Sequence, residues 1–140
     1  MDDAARIAGI VAAHRGREGP LLPILHDVQA AFGHVSEAAI RIIAHDLNLS
    51  RAEVHGVVSF YHDFTPAPDP RPAIKLCRAE ACQARGAEAL VSTLPAQDKV
   101  RIETVYCLGL CSVGPNAMID GRPHARLDAA RLAALVDGLA

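Results

Sequence analysis

The chain has 140 residues, of which 51% are hydrophobic and 21% charged, so it can bury a core without disulfide staples. Its formal net charge of −2 gives no global positive field that would attract nucleic acid or an anionic membrane. No apolar run approaches the roughly 18 residues that a membrane span requires, and the acidic start Met-Asp-Asp does not predict a secretory signal.

The first half of the chain carries helical patterns. Apolar residues recur at helical spacing over residues 4–14 and 21–32, and glycines end both runs. Ser36 is positioned as the N-cap of a third helix, and Ser50-Arg-Ala-Glu53 is a capping-box pattern that begins a fourth. We therefore predict an N-terminal helical bundle over residues 1–64.

A proline-rich segment follows, with prolines at 66, 68, 70 and 72. Each proline fixes φ and removes a backbone donor, so this stretch is neither a helix interior nor a central strand. We interpret residues 65–72 as a semi-extended linker and residues 73–140 as a second domain.

After the linker the hydrophobic period changes. Residues 73–77 alternate like a short strand, and residues 79–91 form a small-residue helix interrupted by Gly86. Alternate positions from Val100 to Tyr106 predict a half-buried strand, Asp120-Gly121 marks a hairpin turn, and a helix closes the chain. The order β-α-β-β-α is a thioredoxin-like arrangement, so the predicted fold class is α+β, a helical bundle followed by a thioredoxin-like α/β domain.

All four cysteines follow the linker. Their spacing is Cys-x4-Cys, then 24 residues, then Cys-x3-Cys, at Cys77, Cys82, Cys107 and Cys111. We expect a cytoplasmic protein, and a reducing compartment favours thiols or metal sites over disulfides. Two irons bridged by two sulfides need two thiolates each, which two cysteine pairs in facing loops supply. The pattern predicts a [2Fe–2S] cluster with these four cysteines as its iron ligands.

Two glycines shape the second cysteine loop. Gly109 and Gly114 are expected to permit backbone conformations that a Cβ would forbid. Such a loop wraps closely and aims N–H groups at sulfur, which offsets the negative charge of a thiolate-ligated cluster. Lys75 and Arg78 flank Cys77 and could assist, although solvated surface charge is the better interpretation of both.

Other interpretations of the cysteines remain open. Structural zinc sites favour Cys-x2-Cys or Cys-x4-Cys pairs, and no Cys-x2-Cys occurs here. Disulfides or unrelated core thiols are a further alternative, whereas a thioredoxin-type redox site would need Cys-x-x-Cys. The seven histidines form no ligand pair beside the cysteines, and the chain carries no nucleotide-binding or hydrolase motif. We expect no catalytic site on this chain.

A rival of another class comes from residues 38–58, which resemble a helix-turn-helix and suggest an iron–sulfur transcription regulator. The second helix offers only Arg51 and His55 as basic groups near its start, and the chain is net acidic. A helical unit that docks on a partner subunit fits better, and we expect no nucleic-acid partner.

Three segments and both cysteine pairs carry a family resemblance. The segments are Leu22-Pro-Ile-Leu-His-Asp-Val-Gln29, Val54-His-Gly-Val-Val-Ser-Phe-Tyr61 and Gly114-Pro-Asn-Ala-Met-Ile-Asp120. In order and spacing they resemble the thioredoxin-like [2Fe–2S] ferredoxin subunits of NADH-oxidising complexes. Those are the small flavoprotein-fragment subunit of complex I, its relatives in NAD-linked hydrogenases, and the gamma subunit of NAD-dependent formate dehydrogenase. The two cysteine loops are most similar to the formate dehydrogenase gamma subunit.

This resemblance implies a role and a partner. The partner would be a larger subunit carrying FMN, the NAD site and further iron–sulfur centres, in a hetero-oligomeric complex without membrane contact by this chain. The cluster would exchange single electrons with the flavin, and formate oxidation at molybdenum or tungsten would occur on another subunit. A complex I-type or hydrogenase complex is the alternative parent, and a homodimer is one state open to the isolated chain.

Overall fold

The computed structural model describes residues 2–94 and 98–139. These residues divide into two compact units, with the boundary between Pro70 and Arg71. The first unit is helical, and the second contains a four-stranded sheet with helices. The predicted α+β class is confirmed. Within the described ranges, no helix is long and apolar enough to cross a membrane.

The first unit is built from four helices, of which α1 packs against α3 and α3 against α4. Their bounds are α1 Asp3–Ala13, α2 Leu21–Phe32, α3 Glu37–Leu47 and α4 Arg51–Phe60. One apolar face of each helix points inward, so the core is a continuous cluster of mostly aliphatic side chains that also includes Phe64. Its fully buried members include Ile24, Leu25, Val28, Ile43 and Val54.

Local side-chain hydrogen bonds set the helix boundaries, as the sequence predicts. The Ser36 hydroxyl accepts the Ala39 N–H at 3.1 Å and begins α3. At α4 the Ser50 hydroxyl accepts the Glu53 N–H at 3.1 Å, while the Glu53 carboxylate accepts the Ser50 N–H at 2.8 Å. This is the predicted capping box, which satisfies two otherwise unpaired donors. Gly33 ends α2 in the left-handed conformation with φ of 74°.

Main-chain groups at both ends of the proline-rich segment are hydrogen-bonded. The Val35 N–H donates to the Thr65 carbonyl at 2.8 Å, and the Thr65 N–H donates to Gln29 Oε1 at 3.0 Å. At the other end the Arg101 N–H donates to the Pro72 carbonyl at 2.8 Å. Thr65 is thus bound to the helical unit, and Pro72 to the sheet.

The second unit has a mixed sheet with strand order β2-β1-β3-β4. The strands are β1 Ala73–Cys77, β2 Arg101–Val105, β3 Ala117–Ile119 and β4 Arg122–His124. β1 and β2 are parallel, whereas β3 is antiparallel to both β1 and β4. Two short helices, α5 Glu80–Ala84 and α6 Ala87–Ser92, lie between β1 and β2, and α7 Ala129–Leu139 closes the unit.

Two element boundaries in the sheet unit differ from the prediction, and one predicted turn is confirmed. The predicted helix over residues 79–91 is instead two helices, because Gly86 takes a left-handed φ of 91° between them. The predicted strand to Tyr106 ends at Val105, where the chain turns into the cysteine loop and leaves Tyr106 74% exposed. The Asp120-Gly121 hairpin is confirmed, with both residues at positive φ as a tight two-residue turn requires.

Candidate metal centre

The register of β1 and β2 brings the two cysteine pairs to one edge of the sheet. Cys77 is the last residue of β1 and pairs with Val105, the last residue of β2. Because parallel strands end at the same edge, the loops that leave them start side by side. The first loop leads to Cys82 within α5, and the second carries Cys107 and Cys111.

The structure brings the four predicted ligands together as two pairs. Cys107 Sγ and Cys111 Sγ lie 3.6 Å apart, and the thiols of Cys77 and Cys82 share a hydrogen bond. The Cys107 N–H donates to Cys77 Sγ at 3.3 Å and links one pair to the other. Cys77 and Cys82 are buried, whereas Cys107 and Cys111 are exposed. The site is therefore half interior and half surface.

Hydrogen-bond donors surround the Cys77 sulfur. Burial alone would raise the pKa of Cys77, but the hydrogen bonds outweigh burial and the pKa is lowered. The donors are three backbone N–H groups and one neighbouring thiol, those of Ala79, Cys107, Leu108 and Cys82. This environment favours a thiolate at Cys77.

The neighbouring thiols show the opposite tendency. Burial raises the pKa of Cys82, and the adjacent Cys77 raises it further, while the Asn116 backbone N–H acts in the other direction. Cys107 raises the pKa of Cys111 through their hydrogen bond and through charge repulsion. Bringing all four to the thiolate form in one place therefore requires cations, which iron ions supply.

The glycines of the second loop act in two different ways. Gly109 has a φ of 77°, as predicted, and its N–H donates to Cys107 Sγ at 3.4 Å. The expectation for Gly114 was wrong in its reason, because its φ of −67° suits any residue. Its lack of a side chain matters for space: a Cβ there would lie 3.0 Å from Cys82 Sγ. The chain also places Cys107 itself at a φ of 78°, which the sequence did not predict.

Sequence reasoning missed the role of Asn116. It is the one buried polar residue in the part of the chain that the structure describes. The side-chain Nδ2 of Asn116 donates to Cys82 Sγ at 3.4 Å and to the Leu110 carbonyl at 3.0 Å. The main-chain carbonyl of Asn116 accepts the Cys77 N–H. The signal that the sequence offers is a polar residue between the Gly114-Pro115 pair and the apolar run of β3.

Arg78 does not direct a free charge at the cysteines. Its Nε and Nη2 donate to the two carboxylate oxygens of Glu88 at 2.8 and 2.5 Å, and this carboxylate raises the pKa of Arg78. The reciprocal interaction lowers the pKa of Glu88. The pair joins the residue after Cys77 to α6, and both side chains reach solvent, so its contribution to stability is small.

The residues at this edge fit a thiolate-ligated iron–sulfur group. The donor set is four thiols in two pairs, N–H groups already point at sulfur, and one glycine keeps space beside Cys82. Among residues 2–94 and 98–139, no set of three or more Cys, His, Asp or Glu side chains is placed to hold a single metal ion.

Comparison with known proteins gives the family of this chain and the cofactor of that family. Residues 7–140 match the family described as thioredoxin-like [2Fe-2S] ferredoxin. The NADP-reducing hydrogenase subunit HndA of Solidesulfovibrio fructosivorans is 32% identical over 114 residues, covering 74% of this chain and 67% of that protein. A subunit of the NADH-quinone oxidoreductase of Rhizobium meliloti is 30% identical over 142 residues, covering 94% of this chain and 84% of that subunit.

A solved structure is similar as well. A crystal structure of an NAD+-reducing [NiFe]-hydrogenase in the air-oxidised state superposes with a TM-score of 0.69 at 28% sequence identity. The match covers 86% of this chain but 22% of the hydrogenase chain. This chain thus spans about a fifth of that neighbour, and the superposition supports the thioredoxin-like fold.

Proposed function

The chain belongs to the thioredoxin-like [2Fe-2S] ferredoxin family, and from that premise we propose that it is an electron-transfer subunit of an NAD-dependent oxidoreductase. Its cofactor is a [2Fe–2S] cluster, as the family indicates. Such a cluster supplies a one-electron carrier, which complements the two-electron chemistry of a nicotinamide.

We assign the ligands to Cys77, Cys82, Cys107 and Cys111. The observation that supports this most is the meeting of both cysteine pairs at one edge of the sheet, where the Cys107 N–H donates to Cys77 Sγ at 3.3 Å. In this assignment Cys77 and Cys82 hold the interior side, and their backbone donors stabilise thiolate charge. Cys107 and Cys111 hold the exposed side, which is the shorter route for electrons to a docked partner.

For the parent complex we propose a cytoplasmic NAD-dependent formate dehydrogenase, with this chain as its gamma subunit. The resemblance of the two cysteine loops to those of the formate dehydrogenase gamma subunit supports that assignment. A hydrogenase is the second candidate, supported by the named relative from Solidesulfovibrio fructosivorans and by the structural neighbour. In either case the partner is a larger subunit with flavin and an NAD site, and the chain carries no catalytic site of its own.

The test is isolation of the native complex through a tag on this chain, followed by flavin and metal analysis. We expect flavin in the complex and an electron paramagnetic resonance (EPR) signal of this chain's cluster on addition of NADH. Formate as an effective reductant would select the formate dehydrogenase, and hydrogen the hydrogenase. A Cys111→Ala variant that still assembles but lacks this signal is the matched control. Purification of the chain alone, with a cluster that NADH leaves oxidised under all conditions, would contradict the proposal.

A further inference from the structure

Two thiols of the candidate metal centre, Cys107 and Cys111, lie close together at the surface and are called the exposed pair below. Their Sγ atoms are 3.6 Å apart, and both residues are exposed. A disulfide bond requires about 2.05 Å between two sulfurs, so this pair has to close by about 1.5 Å. Gly109 lies between them at an exposed position, and the space that a Cβ would fill there is open. The loop can therefore adjust without displacing a packed side chain.

The other two thiols, the buried pair Cys77 and Cys82, are held more firmly. Cys77 is 3% exposed and Cys82 is 1% exposed, so a small oxidant does not reach either sulfur from solvent. Cys77 ends strand β1, which is paired on both sides, and Cys82 lies within α5. Cys82 Sγ also accepts the Asn116 Nδ2–H at 3.4 Å. Because thiol–disulfide exchange needs access to the attacking sulfur, only the exposed pair is open to it.

We propose that Cys107 and Cys111 form a disulfide under oxidising conditions before the cluster is inserted, and that this bond blocks insertion until it is reduced. The first part depends on the two thiols alone. The second part rests on the proposed function, since it requires both cysteines to be iron ligands. A [2Fe–2S] cluster takes four ligands, so a chain with two of its thiols joined retains only the buried pair. Iron ligation and the disulfide exclude each other, because both use the same two sulfurs.

The oxidant for this step is a small disulfide, such as oxidised glutathione. One cysteine thiolate attacks a sulfur of the small disulfide, which forms a mixed disulfide and releases one small thiolate. The second cysteine thiolate attacks the cysteine sulfur of the mixed disulfide and releases the other small thiolate. In total the two cysteine thiols lose two electrons and two protons, and the small disulfide gains both and becomes two thiols. A dithiol reductant reverses the reaction.

The first measurement maps the thiols of the full chain after its iron has been removed with a chelator under reducing conditions. The chain is incubated anaerobically with oxidised glutathione, alkylated in denaturant and digested with trypsin. Cleavage after Arg101 and Arg126 leaves the exposed pair together in residues 102–126, whereas the buried pair falls in other peptides. We expect peptide 102–126 to carry neither an alkyl group nor glutathione and to be lighter than its reduced form by two hydrogens. Two free thiols or retained glutathione in that peptide, or a disulfide that includes the buried pair, would overturn the inference.

Two variants separate an internal disulfide from capture of glutathione by a single thiol, and the wild-type result does not depend on how either variant folds. Cys111→Ser leaves Cys107 without its partner, so we expect peptide 102–126 to gain one glutathione. Cys82→Ser removes a buried thiol instead, and we expect the exposed pair to close as it does in the wild type. An unmodified Cys107 in the first variant, or an open exposed pair in the second, would contradict the proposal.

The second measurement tests the effect on the cofactor. The oxidised and the reduced chain are each supplied with iron and sulfide without added thiol, and uptake is measured by iron and sulfide analysis. We expect uptake by the reduced chain, its loss in the oxidised chain, and its recovery after treatment with dithiothreitol. Equal uptake by both chains would overturn the proposed block. A reduced chain that takes up no iron and sulfide would instead overturn the proposed function, and would leave the thiol map unchanged.

Discussion

The space around the Cys82 sulfur is set by its nearest neighbours. The Cys82 sulfur is enclosed by Asn116 and Gly114, and the ideal Cβ position at Gly114 lies 3.0 Å from Sγ and 3.7 Å from the Cys82 Cα. A separation of 3.0 Å is tighter than nine in ten real Cβ contacts, so the sulfur would have to shift by a few tenths of an ångström, and an iron bound to Sγ would hold that sulfur in place. Gly114 therefore matters for ligand geometry rather than for its own backbone conformation.

Gly114→Ala tests this contact. We expect it to reduce cluster occupancy several-fold, because the added methyl group and an iron-bound Cys82 cannot both keep their positions. Iron and sulfide analysis after reconstitution measures the loss. Gly138→Ala is the matched control, since a Cβ there meets nothing within 4 Å and alanine favours a helix. Equal cluster occupancy in both variants would show that the space beside Cys82 accommodates a methyl group, and would contradict this account of Gly114.

Residue type and spacing predict the four cysteines as ligands, and the structure places both pairs at one edge of the sheet. The role of Asn116 could not be predicted, because the sulfur that it contacts lies 34 residues earlier in the chain. Its place between Gly114-Pro115 and the apolar run of β3 indicates a turn, but that pattern does not tell a buried asparagine from an exposed one. The reason for Gly114 was missed in the same way, since a close approach between distant segments leaves no local pattern.

Secondary-structure elements follow local rules more closely. Helix starts at Ser36 and Ser50 and the end at Gly33 were predicted, because a cap is made by residues within four positions of one another. The break between α5 and α6 was predicted as an interruption but not as two helices, because a glycine tolerates either helical or left-handed φ. The early end of β2 depends on the cysteine loop, which no strand pattern encodes.

The capping box of α4 gives a stability prediction. Ser50→Ala removes the hydroxyl that accepts the Glu53 N–H, and should cost about 1 kcal/mol of unfolding free energy. Urea unfolding followed by circular dichroism measures the difference. Ser59→Ala, which loses only a hydroxyl bond to the Gly56 carbonyl within the same helix, should change stability by less than about 0.5 kcal/mol. Equal losses in the two variants would argue against the cap.

The same box gives a pH dependence. Hydrogen bonds from the Ser50 backbone and hydroxyl lower the pKa of Glu53 below its ordinary value of 4.5. The stabilisation is therefore present above 4.5 and is lost as pH falls through the lower folded-state pKa. Glu53→Gln should remove this part of the acid sensitivity of α4, seen as a smaller difference in midpoint urea concentration between neutral and acidic pH. An unchanged pH profile would contradict the assignment.

At the scale of the whole molecule, the chain consists of two units with separate cores. Mostly aliphatic side chains fill the core of the helical unit, while the sheet unit has an aliphatic core and a smaller cluster around Cys77 and Cys82. The change from helical to alternating periodicity, with prolines between, was enough to predict the α+β class. The register of β1 with β2, which places the cysteine loops at one edge, depends on long-range pairing that periodicity does not specify.

Removal of the metal should affect the two units unequally. Metal sites contribute to folding where their ligands bridge distant segments, and here the four cysteines span residues 77–111. After treatment with an iron chelator, hydrogen exchange read by mass spectrometry should accelerate in the cysteine loops and in β1. The helices of residues 3–60 should keep their protection. Comparable acceleration in both units would contradict a cluster confined to the sheet unit.

The measurement that tests the proposed site most directly is metal and sulfide analysis of the purified full chain together with EPR of its reduced form. We expect about two irons and two acid-labile sulfides per chain and a rhombic S = 1/2 signal, all lost together in a Cys82→Ala variant. A colourless protein that holds one zinc and no sulfide would contradict the account.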